Sequence, residues 1–213
     1  MDTETITERL PARVAWDESG TVLLPGALAA ERLEALCQET LGRLGLVTPH
    51  VHKHTSSHRD GSFASPVHCG FVPPGPILEQ LAFDKALLLA LREATGIPRL
   101  IPRGGAAVLY REGDFQGLHT DSVKSTVTVG IALTEDLPAM GWAPHLHNAH
   151  PDRLGEIVAE HGLFPAEGGG FTTMAHPYAD GSLRAFAGYA VPHWRPPMPH
   201  PMGLLATMSF LDL

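Results

Sequence analysis

The sequence predicts a mainly β protein with flanking α-helices, arranged as a β-sandwich or barrel that N-terminal helices brace. Helical patterns occupy the first half of the chain, and short strand patterns follow in the second half. At 213 residues the chain has an ordinary length for one all-β domain, and its sequence contains no repeats or linkers. We therefore expect one domain over residues 1–213, with N-terminal helical support over about 20–100 and the barrel core over about 101–213.

The helical half opens with a short predicted strand over 21–26, which leads into a helix over about 27–45. The leucines of this helix recur at helical spacing on one face, so we expect that face to pack on the rest of the protein. A second helix is predicted to begin at Pro76 and to end at the Gly-Ile-Pro sequence of 96–98. The polar stretch over 50–65 has no periodicity, and we predict a loop there.

Strand patterns dominate the second half of the chain. The run 126–133 alternates strictly, because Val127, Val129 and Ile131 lie on one face while Thr126 and Thr128 lie on the other. A short helix with one apolar side fits 152–161. The remaining predicted strands cover 106–110, 170–174, 182–187 and 204–211.

Composition excludes several classes of protein. Asp and Glu total 23 against 15 Lys and Arg, and the resulting net charge of −8 does not suit binding to nucleic acid or to an anionic membrane. Two cysteines, Cys37 and Cys69, cannot build a disulfide framework or a thiolate metal cage. The acidic N-terminus lacks the apolar stretch of a secretory signal, and the longest aliphatic run, 86–91, is far shorter than the about 20 residues that span a membrane. We predict a cytoplasmic protein.

The sequence from Tyr110 to Asp121 carries the clearest chemical signal. His119 and Asp121 are two residues apart, so on an extended backbone both side chains leave the same face. An imidazole and a carboxylate together suit a divalent first-row metal, and a second histidine from a distant strand would complete a facial triad with open positions. His193, 74 residues after His119, is the natural third ligand, and His176, 57 residues after it, competes for that role.

In this ordered context the sequence resembles the iron(II)/2-oxoglutarate-dependent oxygenases, whose double-stranded β-helix (jelly-roll) carries a His-X-Asp…His triad. The likeness extends over roughly residues 20–210. It includes the Pro-Gly opening between strand and helix, the Gly-X-Pro end of the second helix, the Tyr-X-X-Gly-Asp sequence at 110–114 and the series Gly181, Phe186 and His193. The resemblance implies a double-stranded β-helix core braced by N-terminal helices.

The resemblance also implies a reaction. Iron(II) is expected on His119, Asp121 and His193, with 2-oxoglutarate as the chelating cosubstrate and O₂ as the oxidant. Decarboxylation of 2-oxoglutarate to succinate would drive hydroxylation (or desaturation) of a substrate C–H bond. Related halogenases replace the carboxylate with a small residue, so Asp121 favours hydroxylation, desaturation or ring formation over halogenation. The short chain favours a small-molecule substrate.

One departure concerns the cation that binds 2-oxoglutarate. Many family members place an arginine about ten residues beyond the distal histidine, but this chain has Gly203 there and no Arg or Lys after Arg195. A buried dianion still requires a cation or equivalent donors. Arg195 is the first candidate because it follows His193 by two residues and would share its face; Lys124 is the second and Arg184 the third. Tyr110 is expected to donate a hydrogen bond to the same carboxylate, as a similarly placed tyrosine does in relatives.

Other histidines leave alternatives open. His145 and His147 form a His-X-His pair, which places both rings on one strand face in cupins, although the flanking prolines favour an insertion after the fourth or fifth strand. The run 50–54 contains three histidines and is interpreted as a solvated or covering loop. Three alternative functions remain: an iron oxygenase that does not use 2-oxoglutarate, a cupin-like metalloprotein using His145 and His147, and a catalytically inert metal-binding protein.

Overall fold

The computed structural model describes residues 12–58 and 61–213, which form five α-helices, two 3₁₀ turns and twelve strands. The N-terminus, predicted to lack a secretory signal, lies outside the described residues. The helices are α1 (Ala12–Ser19), α2 (Ala30–Gly42), α3 (Pro76–Ala82), α4 (Lys85–Thr95) and α5 (Pro151–His161). The strands are β1 (Thr21–Leu24), β2 (Thr48–His50), β3 (Lys53–His58), β4 (Gly61–Val72), β5 (Leu100–Arg111), β6 (Phe115–His119), β7 (Val127–Ala132), β8 (Met140–Trp142), β9 (Thr172–Met174), β10 (Leu183–Phe186), β11 (His193–Arg195) and β12 (Met202–Asp212).

The strands form one antiparallel sheet in the order β1-β10-β7-β12-β5-β4-β6-β11-β8-β9, and β2 and β3 also pair with β4. Strand β4 belongs to both halves, because residues 70–72 pair with β5 while residues 67–68 pair with β6. The sheet curls about this shared strand and brings its two halves face to face. Phe186 on β10 and His193 on β11 meet across the interior with ring centroids 5.5 Å apart. The predicted double-stranded β-helix with flanking helices is confirmed.

Alternation along the strands separates two interiors. On β12, Leu204, Ala206 and Met208 join the core beneath the helices, whereas Leu205 and Thr207 line a cavity inside the curled sheet. The predicted alternation of β7 follows the same rule, with its valines in the helix-side core and Thr128 at the cavity. The strand pattern therefore turns polar side chains inward at the position where a site is built.

The predicted helix over 76–95 is two helices. Helix α3 ends at Ala82, and α4 begins after Asp84, whose carboxylate accepts hydrogen bonds from the backbone N–H groups of Ala86 and Leu87. Arg32 on α2 donates to the other carboxylate oxygen at 2.7 Å. An aspartate that caps a helix N-terminus starts a new helix even within an apolar periodic run, and this explains the difference.

The predicted loop over 50–65 is instead a part of the sheet. Strand β3 pairs with β4 along its length, from Lys53 opposite Pro66 to His58 opposite Gly61. This hairpin adds strands to the segment that was predicted as helical support, and β1 is the short strand predicted over 21–26. The hairpin lacks apolar alternation because its inward groups, such as Ser56, are polar and hydrogen-bonded. None of the described helices is long and apolar enough to cross a membrane.

Candidate metal centre

Strands β6 and β11 place His119 and His193 beside each other. The two residues are direct register partners in the antiparallel pair, and their ring centroids lie 4.3 Å apart. Both side chains are buried, with exposed fractions of 3% and 5%. Adjacent antiparallel strands thus bring together two imidazoles that lie 74 residues apart in the sequence.

The two rings are oriented in the same way. Nδ1 of His119 lies 2.7 Å from the carbonyl oxygen of Gly117, and Nδ1 of His193 lies 3.0 Å from that of Val191. A carbonyl only accepts hydrogen bonds, so each Nδ1 is the donor and each Nε2 is the ring nitrogen available to a metal. The Nε2 atoms lie 3.9 Å and 3.6 Å from Oδ1 of Asp121, which places two ring nitrogens and a carboxylate oxygen around one point.

The Asp121 carboxylate is held by two neighbours. Thr128 donates a 2.6 Å hydrogen bond to Oδ2, and the backbone N–H of Asp121 donates to the carbonyl of Gly188 at 2.8 Å. A Cβ at position 188 would lie 2.0 Å from Oδ2, so only glycine leaves room for the carboxylate. The Thr128 hydrogen bond occupies Oδ2 and leaves Oδ1 facing the histidines.

Charges within this group favour the protonation states that metal ligands require. Burial raises the pKa of Asp121, but the neighbouring His193 and His119 and the Thr128 hydrogen bond outweigh it and hold the pKa below its usual range. Burial and the nearby His193 and His54 hold the pKa of His119 well below its usual value. At neutral pH the carboxylate is therefore ionised and the His119 imidazole is neutral.

A third imidazole, His54 on β3, also reaches this group. Its ring centroid lies 4.5 Å from that of His119, and the potential ligand atoms of His54, His119 and Asp121 lie within 4.8 Å of one another. The interpretation of 50–54 as a solvated or covering loop is therefore wrong for His54. Unlike His119 and His193, His54 uses Nε2 in a 3.0 Å hydrogen bond to the carbonyl of Thr120. The Nε2 atoms of His119 and His193, by contrast, face Asp121 and make no hydrogen bond to a backbone carbonyl.

These residues open onto a cavity of about 250 Å³ inside the curled sheet. Arg195, which shares β11 with His193, lines the same cavity and is 2% exposed. Its guanidinium carbon lies 5.4 Å from the centroid of the Tyr110 ring, and Nη1 donates to the carbonyl of Pro138. Among the described residues, no carboxylate lies close enough to form an ion pair with Arg195. A buried cation lacking an acidic partner favours an anionic ligand in this cavity.

The other predicted cosubstrate residues divide into two groups. Tyr110 lines the cavity and donates a 2.9 Å hydrogen bond to Gln116, and burial raises the pKa of its hydroxyl so that it stays protonated. Lys124 is exposed and lies at a neighbouring surface depression. Arg184 donates through Nε to the carbonyl of Ala175 at 2.7 Å. The structure brings Arg195 and Tyr110 to the cavity, and it does not bring Lys124 or Arg184 there.

The competing histidines lie elsewhere. His176 is buried against Gly130, where a Cβ would lie 2.4 Å from its Nε2, and neither of its ring nitrogens has a hydrogen-bond partner. His145 bonds through Nδ1 to the carbonyl of Gly170, in a 3₁₀ turn that is followed by α5. In the described ranges, neither His145 nor His147 joins a group of three potential metal ligands.

The donor set of His119, Asp121 and His193 fits a divalent first-row metal. Two imidazoles and one carboxylate oxygen on a single side, with a cavity on the other, match the facial arrangement in which non-haem iron(II) retains open positions. Sequence reasoning missed Thr128 and Gly188, which hold the carboxylate. The signal for Thr128 was present, since it lies on the polar face of a strand whose other face is apolar.

No family model and no curated protein sequence matches this chain. Solved structures match it along almost its whole length. HygX from Streptomyces hygroscopicus, with nickel and 2-oxoglutarate bound, is similar with a TM-score of 0.65 and 14% identity, covering 93% of this chain and 85% of HygX. A Pseudomonas putida prolyl-4-hydroxylase matches with a TM-score of 0.60 and 18% identity, covering 95% of this chain and 97% of that one.

A third structure is the 2-oxoglutarate-dependent epimerase SnoN from nogalamycin biosynthesis, at a TM-score of 0.60 and 19% identity, covering 96% of this chain and 82% of SnoN. One of these proteins is a hydroxylase and another is an epimerase, so at this level of identity the likeness defines the architecture of this chain. The chain has the double-stranded β-helix fold of the 2-oxoglutarate- and iron(II)-dependent oxygenases.

Proposed function

We propose that this protein is an iron(II)/2-oxoglutarate-dependent dioxygenase that hydroxylates a small molecule. The observation that carries the proposal is one cavity in which His119, Asp121 and His193 converge beside the buried guanidinium of Arg195. A metal site alone is compatible with many chemistries. A metal site beside a buried cation without a carboxylate partner supports an anion that also chelates the metal, which is the role of 2-oxoglutarate.

Nε2 of His119, Nε2 of His193 and Oδ1 of Asp121 would hold the metal. Bound iron(II) would supply the positions at which 2-oxoglutarate and O₂ react, coupling decarboxylation to oxidation of a substrate C–H bond. The carbonyls of Gly117 and Val191 orient the imidazoles. Such outer contacts set the direction of each lone pair and raise the basicity of the ligands.

Arg195 would bind the far carboxylate of 2-oxoglutarate, and Tyr110 would donate a hydrogen bond to it. The structure supports a cation on β11 in place of the usual position near 203. Gly203 pairs with Tyr110 in the sheet, and a Cβ there would lie 2.8 Å from Met198 and 3.1 Å from Leu137. A long side chain at 203 would have to displace this packing, whereas Arg195 already reaches the cavity.

The net reaction that we propose converts 2-oxoglutarate, O₂ and a substrate R–H into succinate, CO₂ and R–OH. One oxygen atom enters succinate and the other enters the product. The structural neighbours support a small-molecule substrate, because HygX has been solved with hygromycin B and SnoN acts in nogalamycin biosynthesis. The intact carboxylate of Asp121 supports oxygenation rather than halogenation.

The test is succinate release by the purified protein, supplied with iron(II), ascorbate, 2-oxoglutarate and O₂, with and without pooled small-molecule candidates. We expect succinate that depends on iron and O₂, and a His119→Ala variant that releases none. A candidate that accelerates release and gains one oxygen atom identifies the substrate class. Absence of succinate under all of these conditions would contradict the proposal in favour of an oxygenase independent of 2-oxoglutarate or an inert metal-binding protein.

A further inference from the structure

Thr120 lies between the two proposed ligands His119 and Asp121, and strand β3 binds both of its backbone polar groups. The N–H of Thr120 donates to Oγ of Ser56 at 2.8 Å. The carbonyl of Thr120 accepts a hydrogen bond from Oγ of Ser56 at 3.2 Å and one from Nε2 of His54 at 3.0 Å. The N–H belongs to the peptide group between His119 and Thr120, and the carbonyl belongs to the one between Thr120 and Asp121. Two side chains of the hairpin therefore hold both peptide groups through three contacts.

These two peptide groups lie where the sheet no longer supports the chain. Strand β6 ends at His119, so Thr120 and Asp121 extend beyond its ladder. Ser56 is 0% exposed, and solvent cannot replace its hydroxyl on the Thr120 backbone. Leaving a buried N–H without a partner destabilises that conformation. The orientation of the Thr120 backbone therefore depends on Ser56.

We propose that Ser56 and His54 are positioning residues that fix the angle between the two metal ligands flanking Thr120. We name this pair the β3 clamp. Rotation about the backbone bonds of Thr120 would turn Oδ1 of Asp121 away from Nε2 of His119, which now lies 3.9 Å from it. The β3 clamp rests on the proposed metal centre. In this proposal His54 bonds to the carbonyl of Thr120 and is not a metal ligand.

The first test is binding of Co²⁺ alone to the purified full-length protein, followed anaerobically by its visible absorption spectrum. Ser56→Ala removes the hydroxyl without touching any proposed ligand. We expect a dissociation constant about 10- to 100-fold higher than in the wild type, the size typical of lost outer contacts to metal ligands, and a changed spectrum. The exposed neighbour Thr55 is the matched control, and Thr55→Ala should bind Co²⁺ as the wild type does.

The second test separates positioning from ligation at His54. The amide of His54→Gln can still donate to the carbonyl of Thr120, whereas His54→Phe cannot. We expect near-normal Co²⁺ affinity and spectrum in the glutamine variant and a weaker, altered site in the phenylalanine variant. Equal losses in both variants would make His54 a ligand and overturn its role in the β3 clamp. If Ser56→Ala fails to fold, the two His54 variants still test the β3 clamp.

The outcomes distinguish the β3 clamp from the metal centre beneath it. Wild-type affinity and an unchanged spectrum in a folded Ser56→Ala variant would overturn the clamp and leave the metal centre intact. Failure of the wild type to bind Co²⁺ would contradict the metal centre, and the clamp with it. His119→Ala, which should lose Co²⁺ whether or not the clamp exists, shows that the assay reports on this site.

Discussion

The Asp121 carboxylate lies in space that Gly188 leaves open. The backbone N–H of Asp121 donates to the carbonyl of Gly188 at 2.8 Å, and a Cβ on Gly188 would stand 2.0 Å from Oδ2. Two chain segments 67 residues apart therefore meet by direct backbone approach at the proposed metal ligand. Such close approach is one of the few structural reasons for which glycine is required.

Gly188→Ala should disable the metal centre without unfolding the protein. The added methyl would overlap the carboxylate, so Asp121 must rotate and Oδ1 must leave the histidines. We expect Co²⁺ affinity to fall by about 100-fold while the far-ultraviolet circular dichroism is kept. Gly155→Ala is the control, because its new Cβ would meet Phe63 only at an ordinary 3.9 Å; equal affinity in the two variants would refute the steric explanation.

Thr128→Val should weaken metal binding. The Thr128 hydroxyl donates to Oδ2 of Asp121, holds the carboxylate in place and helps to keep its pKa low. Without this bond the carboxylate stays ionised, because the two histidines still lower its pKa, but its orientation is no longer fixed. We expect the dissociation constant of Co²⁺ at neutral pH to rise by about 10-fold. Thr128→Ser should restore the wild-type affinity, and an unchanged affinity in the valine variant would rule out this role.

Arg195→Met should weaken 2-oxoglutarate binding and spare the metal. The variant removes the buried cation from the cavity wall, and loss of one partner from a buried ion pair destabilises it by about 3–5 kcal/mol. We expect the dissociation constant of 2-oxoglutarate to rise by about 100-fold or more, with Co²⁺ affinity unchanged. Arg184→Met is the control outside the cavity. An unaltered 2-oxoglutarate requirement in Arg195→Met would eliminate this residue as the anchor.

Asp84→Ala should lower stability at neutral pH by about 1 kcal/mol through loss of the α4 cap. The hydrogen bond from Arg32 and those from the backbone of α4 hold the pKa of Asp84 below its usual value. Because the folded pKa is depressed, this contribution is present above the unfolded pKa and disappears as the pH falls through the folded pKa. Urea unfolding at pH 7 and near pH 3 measures it, with Glu93→Ala on the same helix as the control. A difference between wild type and Asp84→Ala that persists undiminished near pH 3 would argue against a charge effect.

The features that could be predicted from the sequence are those whose residues recur at a regular spacing. Alternation located β7, and the two-residue spacing of His119 and Asp121 placed both on one side of the chain. The break between α3 and α4 was missed because an apolar helical pattern continues across it. Asp84 was the available signal, since aspartate is a preferred residue at helix N-termini.

The rest of the site depends on contacts that leave no local pattern. His54 and Ser56 reach Thr120 from a hairpin more than 60 positions earlier. The hairpin is polar because its inward side chains bond to the backbone of Thr120. Gly188 is required by the approach of Asp121, which only the folded chain brings about. Helix α1 was not predicted either; its eight residues make only about two turns, too few for a repeating apolar pattern to be recognised.

The proposed metal centre and its cosubstrate are tested together by an anaerobic titration of the metal-free protein with iron(II) and then with 2-oxoglutarate. We expect a visible metal-to-ligand charge-transfer band that appears with 2-oxoglutarate in the wild type and is lost in Asp121→Ala. That result would establish the metal ligand and the chelating cosubstrate together. Iron binding without the band would contradict the use of 2-oxoglutarate, and no iron binding would contradict the metal centre.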